Sequence, residues 1–169
     1  LSAAVYPSLK DKLVVVTGGG SGIGTAAIQL AKAFGAKVAV TVGSQRKADF
    51  CTELGADAVI NYREEDFVER IREITAADAE AAGTRPGANV ILDLIGAKYL
   101  ERNVKALADD GRLMIIGLQG GTTADLDLEF HRFGRDLVDR LDDGELAPLA
   151  TRRDIRLVDG LLRDRRRFG

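Results

Sequence analysis

The sequence predicts an α/β fold built on a parallel, doubly wound sheet with helices on both faces. Three features predict it: five short apolar runs, segments of helical period between them, and a glycine-rich turn joining the first run to the first helix. The runs are continuous rather than alternating, as expected of strands buried on both faces. Right-handed crossovers then give the strand order 3-2-1-4-5.

Each element follows in chain order. Residues 13–16 form the first strand, which ends in Thr17, and the turn 18–24 follows. Ile23, Ala27, Leu30, Ala31 and Phe34 share one helical face, and Gly35 stands where a C-terminal cap ends that helix. Residues 38–42 are the second strand, broken by Gly43 and Ser44. Ser44 is placed to cap a helix reaching Leu54. After Gly55, residues 57–60 make a short third strand. Asn61 can cap the next helix, whose Phe67, Val68, Ile71 and Ile74 keep helical spacing. Residues 76–87 read as a loop with room for one more helical turn. Residues 89–95 are the fourth strand and 99–108 the fourth helix, and Asp110 and Gly111 turn the chain into a fifth strand, 112–117.

Past residue 124 the composition shifts. Of residues 125–169, 11 are acidic and 10 basic, and every basic residue there is arginine, whereas all seven lysines stand at or before Lys105. Residues 1–124 are therefore read as one domain and 125–169 as a charged helical tail that packs on it or extends it. Phe130, Phe133, Leu137 and Leu141 keep helical spacing, and 155–162 reads either as a sixth strand or as a final helix. The arginines in 163–167 read as a solvated terminus.

Composition excludes several classes. A chain of 169 residues with 46% hydrophobic and 30% charged residues is globular and needs no covalent staple. A net charge of −2 gives no pull towards nucleic acid or an anionic membrane. One cysteine, Cys51, and one histidine, His131, exclude a disulfide framework, a cysteine zinc cluster and a hydrolase triad, so no metal site is expected. Cys51 reads as a small buried hydrophobe and His131 as a helix-surface residue. No apolar run reaches the roughly 18 residues of a membrane span, and the first ten residues lack a secretory pattern. A cytoplasmic placement is expected.

The chemistry lies in Thr17-Gly18-Gly19-Gly20-Ser21-Gly22-Ile23-Gly24. Glycines there allow a tight turn and clear Cβ atoms from a ligand's path. The helix that follows offers free N–H groups and the positive end of its dipole to a pyrophosphate. Gly22, Gly24 and Ala27 also fit the GxGxxG/A spacing in the strand–turn–helix context of a Rossmann dinucleotide site. No Gly-Lys-Ser/Thr follows, so it is not a triphosphate loop. An NAD site places Asp or Glu about 20 residues beyond the glycines. Here Gly43, Ser44, Arg46 and Lys47 stand instead, and these suit a 2′-phosphate. NADP(H) is expected over NAD(H). Asp93, at the end of the fourth strand, is either a cofactor-facing residue or a cap or turn acceptor.

Residues 25–32, 41–44, 50–57, 60–66, 90–93, 99–103 and 111–117 resemble the zinc-independent quinone oxidoreductases of the medium-chain dehydrogenase/reductase superfamily. The likeness is collinear over residues 25–121. It implies that the glycine loop holds the pyrophosphate, that Lys47 and Tyr62 lie by the adenosine 2′-phosphate, and that the stretch from Gly117 runs past the nicotinamide. Residues 5–24 instead resemble the start of short-chain dehydrogenase/reductases. Their Tyr-x-x-x-Lys pair is missing: Tyr99 is followed four residues on by Asn103, and Tyr6 with Lys10 precedes the first strand. A recombined or engineered chimera is therefore one reading of the chain. The resemblance implies hydride transfer to a quinone or similar carbonyl, with catalytic residues unassigned. The alternative is a non-catalytic cofactor-binding module or scaffold lacking the substrate domain. Turnover would require either a homodimer or the charged tail to cover the nicotinamide.

Overall fold

The computed structural model describes residues 8–124. Five strands form one parallel sheet: β1 (Leu13–Thr17), β2 (Lys37–Val42), β3 (Ala58–Asn61), β4 (Ala88–Asp93) and β5 (Leu107–Ile115). Their order is β3-β2-β1-β4-β5, the order expected from the sequence. Four helices connect them: α1 (Gly22–Ala33), α2 (Gln45–Glu53), α3 (Phe67–Ala82) and α4 (Leu100–Ala106), the last entered through a 3-10 turn, Ala97–Tyr99. The readings made on 125–169 and on Tyr6, including the tail, the sixth strand and the boundary at residue 124, lie outside the described residues.

Alternation along the strands splits the core in two. Val15, Ala39, Ile91 and Leu113 point to one face, where Phe67, Val68, Ile71 and Val104 of α3 and α4 cover them. Val14, Val16, Val38 and Val40 point to the other, where Ile28 and Ala31 of α1 and Cys51 of α2 pack. This two-sided burial is what keeps β1 apolar from Leu13 to Val16 rather than at alternate positions.

Several expectations are corrected. The buried face of α1 is Gly24, Ile28 and Ala31, while Ile23, Leu30 and Phe34 are 59%, 59% and 65% exposed. The predicted stripe gathered the bulky residues, but α1 lies too close to the glycine loop for bulk: a Cβ on Gly24 would stand 2.6 Å from the Gly18 carbonyl oxygen. The face that carries Gly24, with Ile28 and Ala31, therefore turns to the sheet. The cap of α3 is Asp66, whose carboxylate accepts from the Val68 and Glu69 amides at 2.8 and 3.3 Å. Asn61 instead bonds Glu64 and the Arg63 amide in the preceding turn. The stretch from residue 76 through Ala82 is helical, not loop, and ends at Gly83 with a left-handed φ of 65°. Its alanines are helix formers, and Ala79 is buried. Ser44 occupies the cap position of α2 but makes no side-chain cap bond. β5 begins at Leu107, so Asp110 (φ 58°) and Gly111 form an irregularity within the strand, where register with β4 shifts between Ala88 and Val90.

Candidate functional site

The carboxyl ends of β1, β2 and β4 converge where the strand order reverses, the usual place for a ligand in an open α/β sheet. The glycine loop leaves β1 there. Thr41, one strand away, holds its base: its hydroxyl accepts from the Gly18 amide at 3.1 Å and its carbonyl from the Gly19 amide at 3.0 Å. Ser21 caps α1, its hydroxyl accepting from the Gly24 amide at 3.1 Å. First-turn amides have no acceptor within a helix, so this cap leaves those of Gly22 and Ile23 at the exposed end of the dipole. A Cβ on Gly22 would meet nothing within 4 Å, in contrast to Gly24. The loop thus has a packed side at Gly24 and an open side at Gly22.

The end of β2 joins this loop. Lys47, on the first turn of α2, lays its stem on Gly20: a Cβ there would lie 2.9 Å from the lysine Cδ. The Tyr62 hydroxyl lies over Gly43, leaving no room for a side chain. Lys47 is thus brought onto Gly20 and Tyr62 onto Gly43, and Ser44 and Arg46 are exposed between Gly43 and Lys47 in the chain. No acidic side chain stands between Gly43 and Lys47.

Asp93 and Thr17 are fully buried. The Thr17 hydroxyl donates to the Asp93 carboxylate at 2.6 Å, and the Ile95 and Gly96 amides donate to it at 2.9 Å each. Gly117 packs on the Leu94 carbonyl so closely that any side chain would displace it. Sequence reading missed Thr41 and the loop Leu94–Gly96. Thr41 showed only as one more β-branched residue in a strand, and its role depends on which strand neighbours β1.

Electrostatics around the site are modest. Burial opposes ionisation of Asp66, but the Val68 and Glu69 amides and the Arg102 guanidinium outweigh it and hold the carboxyl below its usual value. Arg102 also covers the rings of Phe67 and Tyr99, at 4.7 and 5.7 Å. Burial pushes the Tyr99 phenol up, and it pushes the Cys51 thiol up against the pull of Lys47. A raised thiol in the core is a packing group, as expected of Cys51. Two concavities, of about 580 Å³ at the amino ends of the strands and about 370 Å³ beside α2 and β3, do not reach the glycine loop. Among the described residues no cluster of His, Cys, Asp or Glu could hold a metal ion, and no helix is long and apolar enough to cross a membrane.

Comparison with known proteins supports the fold. Residues 22–136 match the zinc-binding dehydrogenase family. The chain is 35% identical to quinone oxidoreductase 1 of Escherichia coli over 123 residues, 73% of this chain and 35% of that protein. It is 32% identical to the quinone oxidoreductase of Rattus norvegicus over 107 residues, 63% of this chain and 30% of that one. The crystal structure of Escherichia coli quinone oxidoreductase complexed with NADPH superposes with a TM-score of 0.63 at 34% identity, covering 74% of this chain and 36% of that one. The chain thus spans about a third of the length of these relatives. The chain therefore belongs to the zinc-binding dehydrogenase family, and quinone oxidoreductases are among its relatives.

Proposed function

We propose that this chain is the NADP(H)-holding domain of a quinone-oxidoreductase-type enzyme. The observation that carries this is the open N-terminus of α1 at Gly22, with Lys47 lying on Gly20 of the same loop and Tyr62 on Gly43 at the end of β2. In this reading the amides of Gly22 and Ile23 receive the pyrophosphate, with Thr17, Gly18, Gly20, Ser21 and Gly24 shaping the loop. The fit is physical: Gly22 clears the approach, and the helix dipole favours the anion.

Lys47, Arg46, Ser44 and Tyr62 receive the adenosine 2′-phosphate over Gly43, which makes NADP(H) the preferred cofactor. A carboxylate in that stretch would repel the phosphate, and none is present. Gly117 borders the nicotinamide half, and Asp93 supports the loops beneath it. A bound reduced nicotinamide supplies the hydride. The chain's own part is to orient the ring and exclude water on one side. A quinone needs little acid–base help, so no proton-transfer residue is assigned among the described residues.

Among the described residues neither concavity reaches the glycine loop, so neither supplies a substrate cleft beside it. That favours a companion reading in which the isolated chain binds cofactor without turnover. Calorimetry with NADPH and NADH tests the binding: NADPH is expected to bind more tightly, and equal affinities would overturn the 2′-phosphate assignment. An NADPH oxidation assay with a soluble quinone tests turnover. A rate no greater than that of a Gly22→Val, Gly24→Val double variant leaves only the binding reading.

A further inference from the structure

We infer that Asp93 is a positioning residue that locks the two halves of the dinucleotide site in register. The inference rests on the NADP(H) reading above. Three separate stretches of chain meet on this one residue. From β1, the Thr17 hydroxyl donates to Oδ1 at 2.6 Å, one residue before the glycine loop. From the loop after β4, the Ile95 amide donates to Oδ1 and the Gly96 amide to Oδ2, each at 2.9 Å. From the end of β5, the Ile116 and Gly117 amides donate to the Asp93 carbonyl at 2.8 and 3.2 Å. Thr17 completes the ring, its oxygen accepting from the Leu94 amide at 3.1 Å.

The loops tied in this way also hold each other. Gly120 donates to the Ile95 carbonyl at 2.6 Å, and Ala97 to the Gly121 carbonyl at 3.1 Å. The loop from Leu94 to Ala97 and the stretch from Ile116 to Gly121 therefore move as one body. Its side-chain hydrogen bonds to the base of the glycine loop run through the Asp93 carboxylate and the Thr17 hydroxyl. A carboxylate suits this place because every group facing it is a donor. Asparagine would present its own NH₂ to one of them, in a site closed to water. Asp93 thus acts on the cofactor through the loops and not by touching it.

The test uses the full chain with Asp93→Asn and Thr17→Val, the second keeping the shape of the side chain while removing the hydroxyl. NADPH spans both halves of the site, whereas 2′,5′-ADP occupies only the adenosine half. Calorimetry is expected to show NADPH affinity falling about tenfold or more in both variants, with that for 2′,5′-ADP changing by less than about twofold. Equal losses for the two ligands, or an unchanged NADPH affinity, would overturn the inference.

Hydrogen exchange on the ligand-free protein reads the tie without any cofactor. Faster exchange is expected both at Ala97 and Gly120 and in the glycine loop at Ser21 and Gly24. A change confined to residues 94–96 overturns the coupling. A wild-type chain that binds neither ligand would defeat the NADP(H) reading, and exchange would still judge the tie. Should Asp93→Asn fail to fold, Thr17→Val carries both measurements.

Discussion

The two faces of the sheet are built differently. On the face under α3 and α4 the cover reaches from β3 to β5: Ile60, Val15, Ile91 and Leu113 are all fully buried there. On the other face α1 and α2 cover β1, β2 and β3 and stop. Val90 and Leu92 are only half-buried, and Met114, which pairs with Leu92, is 37% exposed. Beside this strip α1 turns Ile23, Leu30 and Phe34 outward. Parallel sheets need both faces covered, so among the described residues one face is finished and the other half finished. The finished face runs out to β5, and the unfinished one adjoins the glycine loop, where Gly19 packs on Val40.

The largest effect that tests this contrast is Phe67→Ala. It removes the largest fully buried side chain of the finished face and the stack with Tyr99, whose centroid lies 5.8 Å away. It should cost about 3–5 kcal/mol in urea unfolding. Leu30→Ala and Met114→Ala on the unfinished face should each cost under about 0.5 kcal/mol. A loss of 2 kcal/mol or more from either, an order-of-magnitude threshold for a buried side chain, would show that the face is covered in the whole chain.

The glycine loop can be split in the same way. Gly24→Ala drives a methyl to 2.6 Å from the Gly18 oxygen and 2.7 Å from Gly19 Cα. A loss of about 1–3 kcal/mol is expected, together with weaker NADPH binding. Gly22→Ala meets no neighbour, so stability should hold or rise by up to about 1 kcal/mol through helix propensity. NADPH affinity should nevertheless fall about tenfold, because the methyl occupies the phosphate's path. If Gly22→Ala leaves NADPH affinity intact, the open side of the loop is not the ligand side.

A smaller effect is expected at Asn103, fully buried in α4 with neither polar atom of its side chain hydrogen-bonded. Asn103→Leu has a similar branched shape and removes both orphaned atoms, so it should raise stability by about 1 kcal/mol.

The smallest effect concerns pH. Asp57 is held below its ordinary value: burial opposes this, but the Lys32 ammonium and the Val38 amide outweigh it, and Asp66 behaves alike. A depressed carboxyl contributes fully above its unfolded value of about 3.9 and loses that contribution as pH falls through the lower folded value. Stability should therefore drop below about pH 4. Asp57→Asn and Asp66→Asn should each flatten that slope slightly, because both groups are about half exposed.

Sequence pattern carried the architecture because its signals are local. Apolar runs, a glycine turn and the glycines ending α1 and α2 are each dictated within a few residues, and the strand order followed from handedness. The glycine loop and its neighbours at Gly43, Lys47 and Tyr62 were legible for the same reason, helped by a family resemblance. The buried face of α1 was not. Two stripes overlap on that helix, and only the distance between helix and sheet decides that Gly24, Ile28 and Ala31 turn inward instead of Ile23, Leu30 and Phe34.

Asp93 shows the same limit. Its place at the end of a strand could be read from the sequence, but its partners come from residues as far as 76 positions away. By itself the sequence determined the order of elements, the glycine loop and the missing acid after β2, because each depends on neighbours along the chain. Tertiary structure alone decided which face stays open and which oxygen ties the two loops, because both depend on contacts between strands distant in sequence and adjacent in the sheet.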